Sequence, residues 1–363
     1  MSYSAAPMSD PLRPGTRASS ARVASRIVLK SIAAIVIVGF TVWGAGALYY
    51  RVTLGDIGRQ ALAMSFGVLG LLAIVGLFVR YLRRATIAYV LALIAVFGWW
   101  SRIRPSNDRD WQPEVAVLAY ADVNGDQVTI HNIRNFDYRT ETDFTPRYYD
   151  KTFDLRTLDT ADLIATYWMG DAIAHMMVSF GFGGRDYLTV SIETRKERNE
   201  SYSTLAGFFR EYELYYVVAD ERDLIRVRTN FRKDPPEDVY LYRTNAPPEN
   251  VRRFFLSYIA KINSLKNQPE FYNTLTTNCT TNIWMHTKVN KESIPLNWKI
   301  LVSGYVPLLA YERGRLDTRL PFEELRQRSH INAAAQAAND AEDFSQRIRA
   351  TVPIPERAGG AAQ

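Results

Sequence analysis

The residue best suited to covalent chemistry is Cys279, the only cysteine among the 363 residues of the chain. It follows Asn278 at the point where a polar run, "TLTTN", meets the helical pattern "TTNIWMHTKV". Asn and Thr commonly cap helices, so this pattern predicts Cys279 at or just before the start of a helix. Unpaired N–H groups and the helix dipole stabilise an anion there, and the thiolate is the nucleophilic form of cysteine. The segment therefore suits a nucleophile for acyl transfer, with an inert buried thiol as the alternative.

The chain has four histidines that could act as the base for this thiol. His286 is seven residues further along the same predicted helix, roughly 10 Å along its axis, which is too far for a hydrogen bond. His330 lies in a polar stretch near the C-terminus, whereas His131, on a predicted hairpin, stays open as a candidate. His175 lies on a predicted strand and fits either a catalytic base or a buried core histidine.

A polar face on the next predicted strand could orient His175. The strand "DYLTVSIETR" alternates its side chains, so Ser191, Glu193 and Arg195 share one face. A carboxylate raises the pKa of an imidazole, which makes Glu193 a more useful orienting group than Ser191. A solvated strand face without a chemical role fits the same pattern.

Along residues 105–325, sequence patterns typical of strands alternate with patterns typical of helices. These elements must position the side chains named above. Asn124-Gly125 and Gly183-Gly184 each separate two strand patterns, which predicts two β-hairpins. The stretch "ENVRRFFLSYIAKINSLKN" predicts an amphipathic helix, because its apolar residues recur at spacings of three and four. These elements predict an α+β domain with an antiparallel sheet. The composition of residues 326–363 predicts a C-terminal tail that is partly disordered, with at most one exposed helix.

Three apolar stretches without a formal charge precede this domain, at about 31–50, 61–79 and 85–101. A bilayer core requires about 20 helical residues, so they predict three transmembrane helices within residues 31–104. The first 100 residues carry ten Arg and Lys against two Asp, and these charges flank the stretches. The rest of the chain is close to neutral, so the basic pI gives no reason to expect nucleic-acid binding.

The basic residues also predict the orientation in the membrane. The basic tail, residues 1–30, and the loop "RYLRR" should be cytoplasmic, which places the domain after the third span on the other side. We therefore expect a multi-pass protein of the bacterial inner membrane with a periplasmic C-terminal domain. Exported domains usually pair their cysteines, so a lone thiol there is either inert or kept for its reactivity.

Metal and cofactor motifs are not found in the sequence. The single Cys and four scattered His lack the spacing of a zinc site, and no Gly-rich phosphate loop is present. The run after Asp122 does not fit the spacing of a calcium-binding EF-hand and is better explained as a turn. We therefore expect no metal and no cofactor.

Four separated motifs resemble the Lnb N-terminal periplasmic domain family: "AHMMVSFGF", "SIETRKE", "YELYYVVADERDLIRVRTN" and "FYNTLTTNCTTNIW". The resemblance covers roughly residues 111–311. It implies a circularly permuted papain-like (NlpC-type) fold, in which a histidine on a strand precedes a cysteine at the start of a helix. It further implies that Cys279 is the nucleophile, that His175 is the base, and that Glu193 is the third member.

The resemblance also implies a reaction, because the family includes an enzyme that moves a fatty acyl chain onto the N-terminus of lipoproteins. We accordingly expect a membrane-anchored thiol acyltransferase at the outer face of the inner membrane, next to the phospholipid bilayer. Its substrates would be lipoprotein or phospholipid-derived acyl groups. The spans precede the domain here, so the acceptor stays open. A cysteine hydrolase (amidase or peptidase) of the same fold and a non-catalytic, membrane-tethered binding module are the alternatives.

Overall fold

The structure, a computed structural model, describes residues 16–356. The chain divides into two compact units, Met1–Arg104 and Pro105–Gln363, and the boundary follows the third apolar stretch. The first 15 residues of the predicted basic tail and the last seven of the predicted C-terminal tail lie outside the described residues.

Three long helices form the first unit: α1 (Thr16–Arg51), α2 (Asp56–Phe78) and α3 (Arg83–Trp100). By length and composition, all three could cross a membrane, which confirms the predicted transmembrane helices. The first helix begins before the apolar stretch, because the Arg, Lys and Ala residues that precede it are good helix formers.

Small and polar side chains join these helices inside the unit. Tyr89 is buried, and its hydroxyl group donates a hydrogen bond to the carbonyl oxygen of Ile37 (3.2 Å) and accepts one from Thr41 (3.0 Å). Gly70 approaches Thr41 so closely that a Cβ atom would lie 2.3 Å from the threonine hydroxyl oxygen. Close approach at small residues and interhelical hydrogen bonds are how helices associate in lipid.

A mainly antiparallel sheet forms the centre of the second unit. Its strands and those of a small second sheet are β1 (Tyr120–Asn124), β2 (Gln127–Arg134), β3 (Asp137–Tyr138), β4 (Phe144–Thr145), β5 (Tyr148–Asp154), β6 (Leu158–Tyr167), β7 (Ala174–Phe182), β8 (Asp186–Arg195), β9 (Glu213–Ala219) and β10 (Asp238–Arg243). The order in the large sheet is β1-β2-β9-β8-β7-β6-β10, with β5 paired to β2, while β3 and β4 pair separately. One parallel contact joins β2 to β9.

Both predicted hairpins are confirmed. The strands β1 and β2 pair across the turn at Asn124-Gly125, and β7 and β8 pair across Gly183-Gly184. Gly125, Gly183 and Gly184 all have positive φ angles, which explains why glycine occupies these turns. The second hairpin is the one that carries His175 and Glu193.

Helices cover the sheet on both faces. They are α4 (Glu221–Arg226), α5 (Pro248–Asn267), α6 (Cys279–Thr287), α7 (Trp298–Leu301), α8 (Val306–Glu312), α9 (Phe322–Ser329), α10 (Asn332–Ala337) and α11 (Phe344–Arg347). On one face, Phe180 of β7 packs edge-on against Phe255 and Tyr258 of α5. On the other, Met177 and Val217 share a buried cluster with residues of α4, α10 and α11. The result is the predicted α+β fold after three apolar helices.

The C-terminal region differs from the expected partly disordered tail over residues 326–356. Ile331, Phe344 and Ile348 are fully buried in the cluster beneath the sheet. The buried guanidinium of Arg349 binds Asp162 (2.9 Å) and Glu221 (2.6 Å), which ties the segment to β6 and α4. The polar, Ala-rich composition concealed this packing, because the buried residues are few and widely spaced.

Candidate active site

Two hydrogen bonds from residues 303–304 hold the start of β7 in place, and this fixes the backbone of His175. The backbone N–H of Ala174 donates to the hydroxyl group of Ser303 (3.0 Å), and that of Gly304 donates to the carbonyl oxygen of Ala172 (3.0 Å). A Cβ atom on Gly304 would lie 2.0 Å from the carbonyl oxygen of Asp171, so only glycine allows this approach. Residues 303–304 therefore anchor the segment that leads into the histidine.

Cys279 is the first residue of α6, as the sequence predicted. The side chain of Asn278 caps the helix by accepting a hydrogen bond from the backbone N–H of Thr281 (2.8 Å), and the hydroxyl group of Thr281 accepts one in return from the backbone N–H of Asn278 (3.0 Å). Asn278 also donates to the carbonyl oxygen of Thr274 (2.7 Å). This capping box and the turn before it place the thiol at the positive end of the helix dipole.

The thiol of Cys279 and the imidazole of His175 interact directly, although they are 104 residues apart in sequence. Burial raises the pKa of the thiol, but the positive charge of His175 and their hydrogen bond outweigh it, so the pKa is lowered from its ordinary value. The backbone N–H of Met176 and the hydroxyl group of Thr280, 3.7 Å from Sγ, also favour the thiolate. The arrangement can therefore hold a thiolate–imidazolium pair.

Glu193 and Ser191 together bind the other side of the imidazole. Nε2 of His175 lies 2.7 Å from Oγ of Ser191 and 3.1 Å from Oε1 of Glu193, and Ser191 donates to the same carboxylate oxygen (2.6 Å). Burial lowers the pKa of the imidazole, but the charge of Glu193 overcomes this and raises the pKa to about 9. Because Nε2 faces this pair, Nδ1 is the nitrogen left to face the thiol. Both candidates for the orienting group thus lie at the site.

Sequence reasoning missed a second layer of charge behind Glu193. Arg228, in a π-helical stretch after α4, lies 3.2 Å from Glu193 and 3.2 Å from the buried Glu237. Glu237 in turn binds Arg232 (2.6 Å). Burial raises the pKa of Glu193, yet His175 and Arg228 hold it well below its usual range. The only signal in the sequence was that charged residues alternate with Leu, Ile and Val in the run "DLIRVRTN", which is too weak to predict a partner.

The other three histidines have partners elsewhere. His131 lies between Asp150 (2.7 Å) and Asp122 (3.1 Å) at the β1–β2 hairpin, so it is not brought to Cys279. His286 hydrogen-bonds to Tyr216 (2.9 Å) and Ser257 (3.0 Å), and burial lowers its pKa to about 4. His330 contacts Asp238 at 3.1 Å.

An apolar cavity of about 200 Å³ adjoins the cysteine helix. Thr280 and Met176, which follow Cys279 and His175 in the sequence, contribute to its wall. Further apolar side chains come from β7, α5, α6 and the region after α6, and include Val178, Phe254, Ile283 and Ile300. The cavity can therefore accommodate an apolar group close to the thiol. Among residues 16–356, no cluster of three or more His, Cys, Asp or Glu side chains is arranged to bind a metal ion.

Comparison with known proteins identifies the domain that carries this site. Residues 144–307 match the family model for the Lnb N-terminal periplasmic domain. The match includes His175, Ser191, Glu193, Arg228 and Cys279. Neither the curated proteins nor the solved structures contain a significant match. Together with the three apolar helices, the match fits an inner-membrane protein with a periplasmic domain. The chain is therefore a membrane-anchored protein that contains a domain of the Lnb N-terminal periplasmic family.

Proposed function

We propose that this protein is a thiol acyltransferase that works through an acyl-enzyme on Cys279. The observation that carries the proposal is the contact of Cys279 with His175 at the start of a helix, beside an apolar cavity. Because the pKa of the thiol is lowered, Cys279 more readily forms the thiolate, which is the nucleophile. The apolar cavity suits the hydrocarbon chain of an acyl donor. The orientation that suits this function places the N-terminus in the cytoplasm and the domain in the periplasm. Phospholipids of the outer leaflet would then provide the acyl chain.

In the first half of the reaction, the thiolate attacks the carbonyl carbon of a phospholipid ester. The C–O bond of the resulting tetrahedral intermediate then breaks, the imidazolium of His175 protonates the departing alcohol oxygen, and a thioester remains on Cys279. The backbone N–H groups of Cys279 and Thr280 come before the N–H of Thr281, which Asn278 caps, and before the first intrahelical hydrogen bond of α6, so they can stabilise the negative charge on the carbonyl oxygen.

In the second half, an amine attacks the thioester carbon and His175 accepts its proton. The C–S bond breaks, which yields an amide and restores the thiol. The free N-terminus of a lipoprotein is the acceptor that we propose. Glu193 and Ser191 would hold the imidazole in place throughout, since both contact Nε2.

The proposal predicts a covalent intermediate. Full-length protein in detergent, incubated with phosphatidylglycerol, which has no amine, and without an added amine acceptor, should gain the mass of one acyl chain on the peptide that contains Cys279. Hydroxylamine should remove it. The adduct should be absent in Cys279→Ala and strongly reduced in His175→Ala, but present in the control His131→Ala. Its absence from the wild-type protein, with no product released, would contradict the proposal.

The same experiment separates transfer from hydrolysis. A peptide with a free N-terminal amine is added to the acylated protein, and the products are identified by mass spectrometry. An acylated peptide supports transfer, whereas free fatty acid alone would make the protein a hydrolase that uses the same cysteine.

A further inference from the structure

The segment that follows the start of the cysteine helix, residues 285–301, presents a series of large apolar side chains to solvent. The exposed fractions are 50% for Met285, 44% for Val289, 61% for Leu296, 57% for Trp298 and 50% for Leu301. Single exposed apolar residues are ordinary, but several in one short segment usually mark an interaction site. We call residues 285–301 the docking segment.

The charges of the docking segment are mainly positive. It contains Lys288, Lys291 and Lys299, of which Lys288 and Lys291 are exposed, whereas Lys299 is largely covered and paired with Glu312. Its single acidic residue, Glu292, is paired with Arg315 (3.1 Å). Lysine beside exposed aliphatic residues and tryptophan is the composition of protein segments that lie at a membrane–water interface. Lysines there are attracted to anionic lipid headgroups.

The inner side of the same segment closes the apolar cavity. Ile294 and Ile300 line the cavity together with Ile283 of the cysteine helix. Ile300 is buried, whereas its neighbour Leu301 is half exposed. A few residues further on, Ser303 and Gly304 bind the backbone that leads into His175. The docking segment therefore separates an apolar surface from an apolar cavity that reaches the residues next to the dyad.

We propose that the docking segment binds the surface of the lipid bilayer. Leu296, Trp298 and Leu301 insert among the headgroups and upper acyl carbons. The exposed Lys288 and Lys291 contact lipid phosphates. A bilayer suits this surface better than a protein does, because the chain carries three membrane-spanning helices and is therefore always attached to lipid. Membrane contact does not depend on the proposed chemistry; the passage of an acyl chain from the leaflet into the cavity rests on the proposed function.

Depth-dependent fluorescence quenching tests the contact. In the full chain with Cys279→Ala, a cysteine is introduced by Trp298→Cys and labelled with nitrobenzoxadiazole. The protein is reconstituted in vesicles of phosphatidylethanolamine and phosphatidylglycerol that contain lipids spin-labelled near the headgroup. The matched control is Val123→Cys, because Val123 is 51% exposed on β1, four strands away from β7 in the sheet.

The label at 298 should show a blue-shifted emission and be quenched severalfold more strongly than the label at 123. Quenching should weaken when phosphatidylglycerol is omitted. Equal, weak quenching at both positions overturns the proposal, and it would leave a protein partner as the occupant of this surface. This measurement uses protein without the nucleophile, so it stands whether or not the acyltransferase proposal holds.

A second measurement tests the link to chemistry. Acylation of Cys279 is followed with a phospholipid donor in vesicles and with a water-soluble short-chain thioester. The ratio of the two rates should fall severalfold in Trp298→Ser and stay at the wild-type value in Val123→Ser. An unchanged ratio in Trp298→Ser would show that the docking segment does not deliver the donor. A wild-type protein that is acylated by neither donor would instead contradict the proposed function.

Discussion

At the scale of single residues, two neighbouring groups have opposite effects on the charge of the His175 imidazole. Glu193 favours the imidazolium form, whereas Arg228, which binds the same carboxylate, disfavours it. Removing Arg228 would leave the partly buried Glu193 and the buried Glu237 without the partner they share. Arg228 therefore both supports Glu193 and limits its effect on the pKa of His175.

The first residue-scale prediction concerns Glu193→Gln. Loss of the negative charge removes the group that raises the pKa of His175 to about 9, so this pKa should fall. A less stable imidazolium stabilises the thiolate less, and the pKa of Cys279 should therefore rise. In a profile of alkylation rate against pH, the midpoint should therefore move to higher pH.

Glu197→Gln is the matched control for this experiment. Glu197 follows the same strand but pairs with Arg109 (2.7 Å) instead of His175, so its profile should match the wild-type protein. A Glu193→Gln profile that coincides with the wild type would show that Glu193 does not set the charge of the dyad. His175→Ala should give the profile of an ordinary thiol.

At the scale of elements, the reactive thiol depends on how α6 begins. Asn278 caps the helix and also ties it to Thr274, so it fixes both the helix end and the preceding turn. Cys279 comes directly after this cap. The position of the Cys279 sulfur relative to His175 should therefore depend on the capping hydrogen bonds of Asn278.

Replacing the cap tests this dependence. Asn278→Ala loses both hydrogen bonds and should lower the free energy of unfolding by about 1–2 kcal/mol. It should also raise the pKa of Cys279, because the thiol becomes less well placed against the helix end and His175. Asn278→Ser keeps a capping hydroxyl, so it should restore most of the free energy of unfolding and most of the low pKa of Cys279. Urea unfolding and alkylation at several pH values measure the two effects, and a reactive, low-pKa thiol in Asn278→Ala would count against a positioning role for the cap.

At the scale of the whole molecule, the sequence predicts local features well and long-range partners poorly. The membrane helices, both glycine hairpins and the start of α6 follow from patterns within a few residues. Arg228 could not be assigned to Glu193, because their contact depends on how α4 packs across the sheet. The packing of residues 331–352 was missed for a related reason, since its buried side chains meet partners on β6 and α4 that are far away in sequence.

That C-terminal segment also supports the layer of charge behind the site. Gln336 donates a hydrogen bond to the carbonyl oxygen of Thr229 (3.0 Å), and Asn230 donates one to Asn339 (2.8 Å), so the segment holds the π-helical stretch that carries Arg228. A change in the packing of the C-terminal segment should therefore alter both the stability of the domain and the reactivity of Cys279.

The last prediction is that Phe344→Ala destabilises the domain by about 3–5 kcal/mol, because Phe344 is fully buried and its truncation leaves a cavity. Glu342→Ala, two residues earlier and exposed, should change the free energy of unfolding by less than about 0.5 kcal/mol. Urea unfolding of the full-length protein, followed by the near-ultraviolet signal of the domain, compares the two. At urea concentrations where the Phe344→Ala variant has begun to unfold and the Glu342→Ala variant has not, the pKa of Cys279 should rise in the Phe344→Ala variant only. Equal stability of the two variants would mean that the segment is detached from the sheet, as its composition alone suggests.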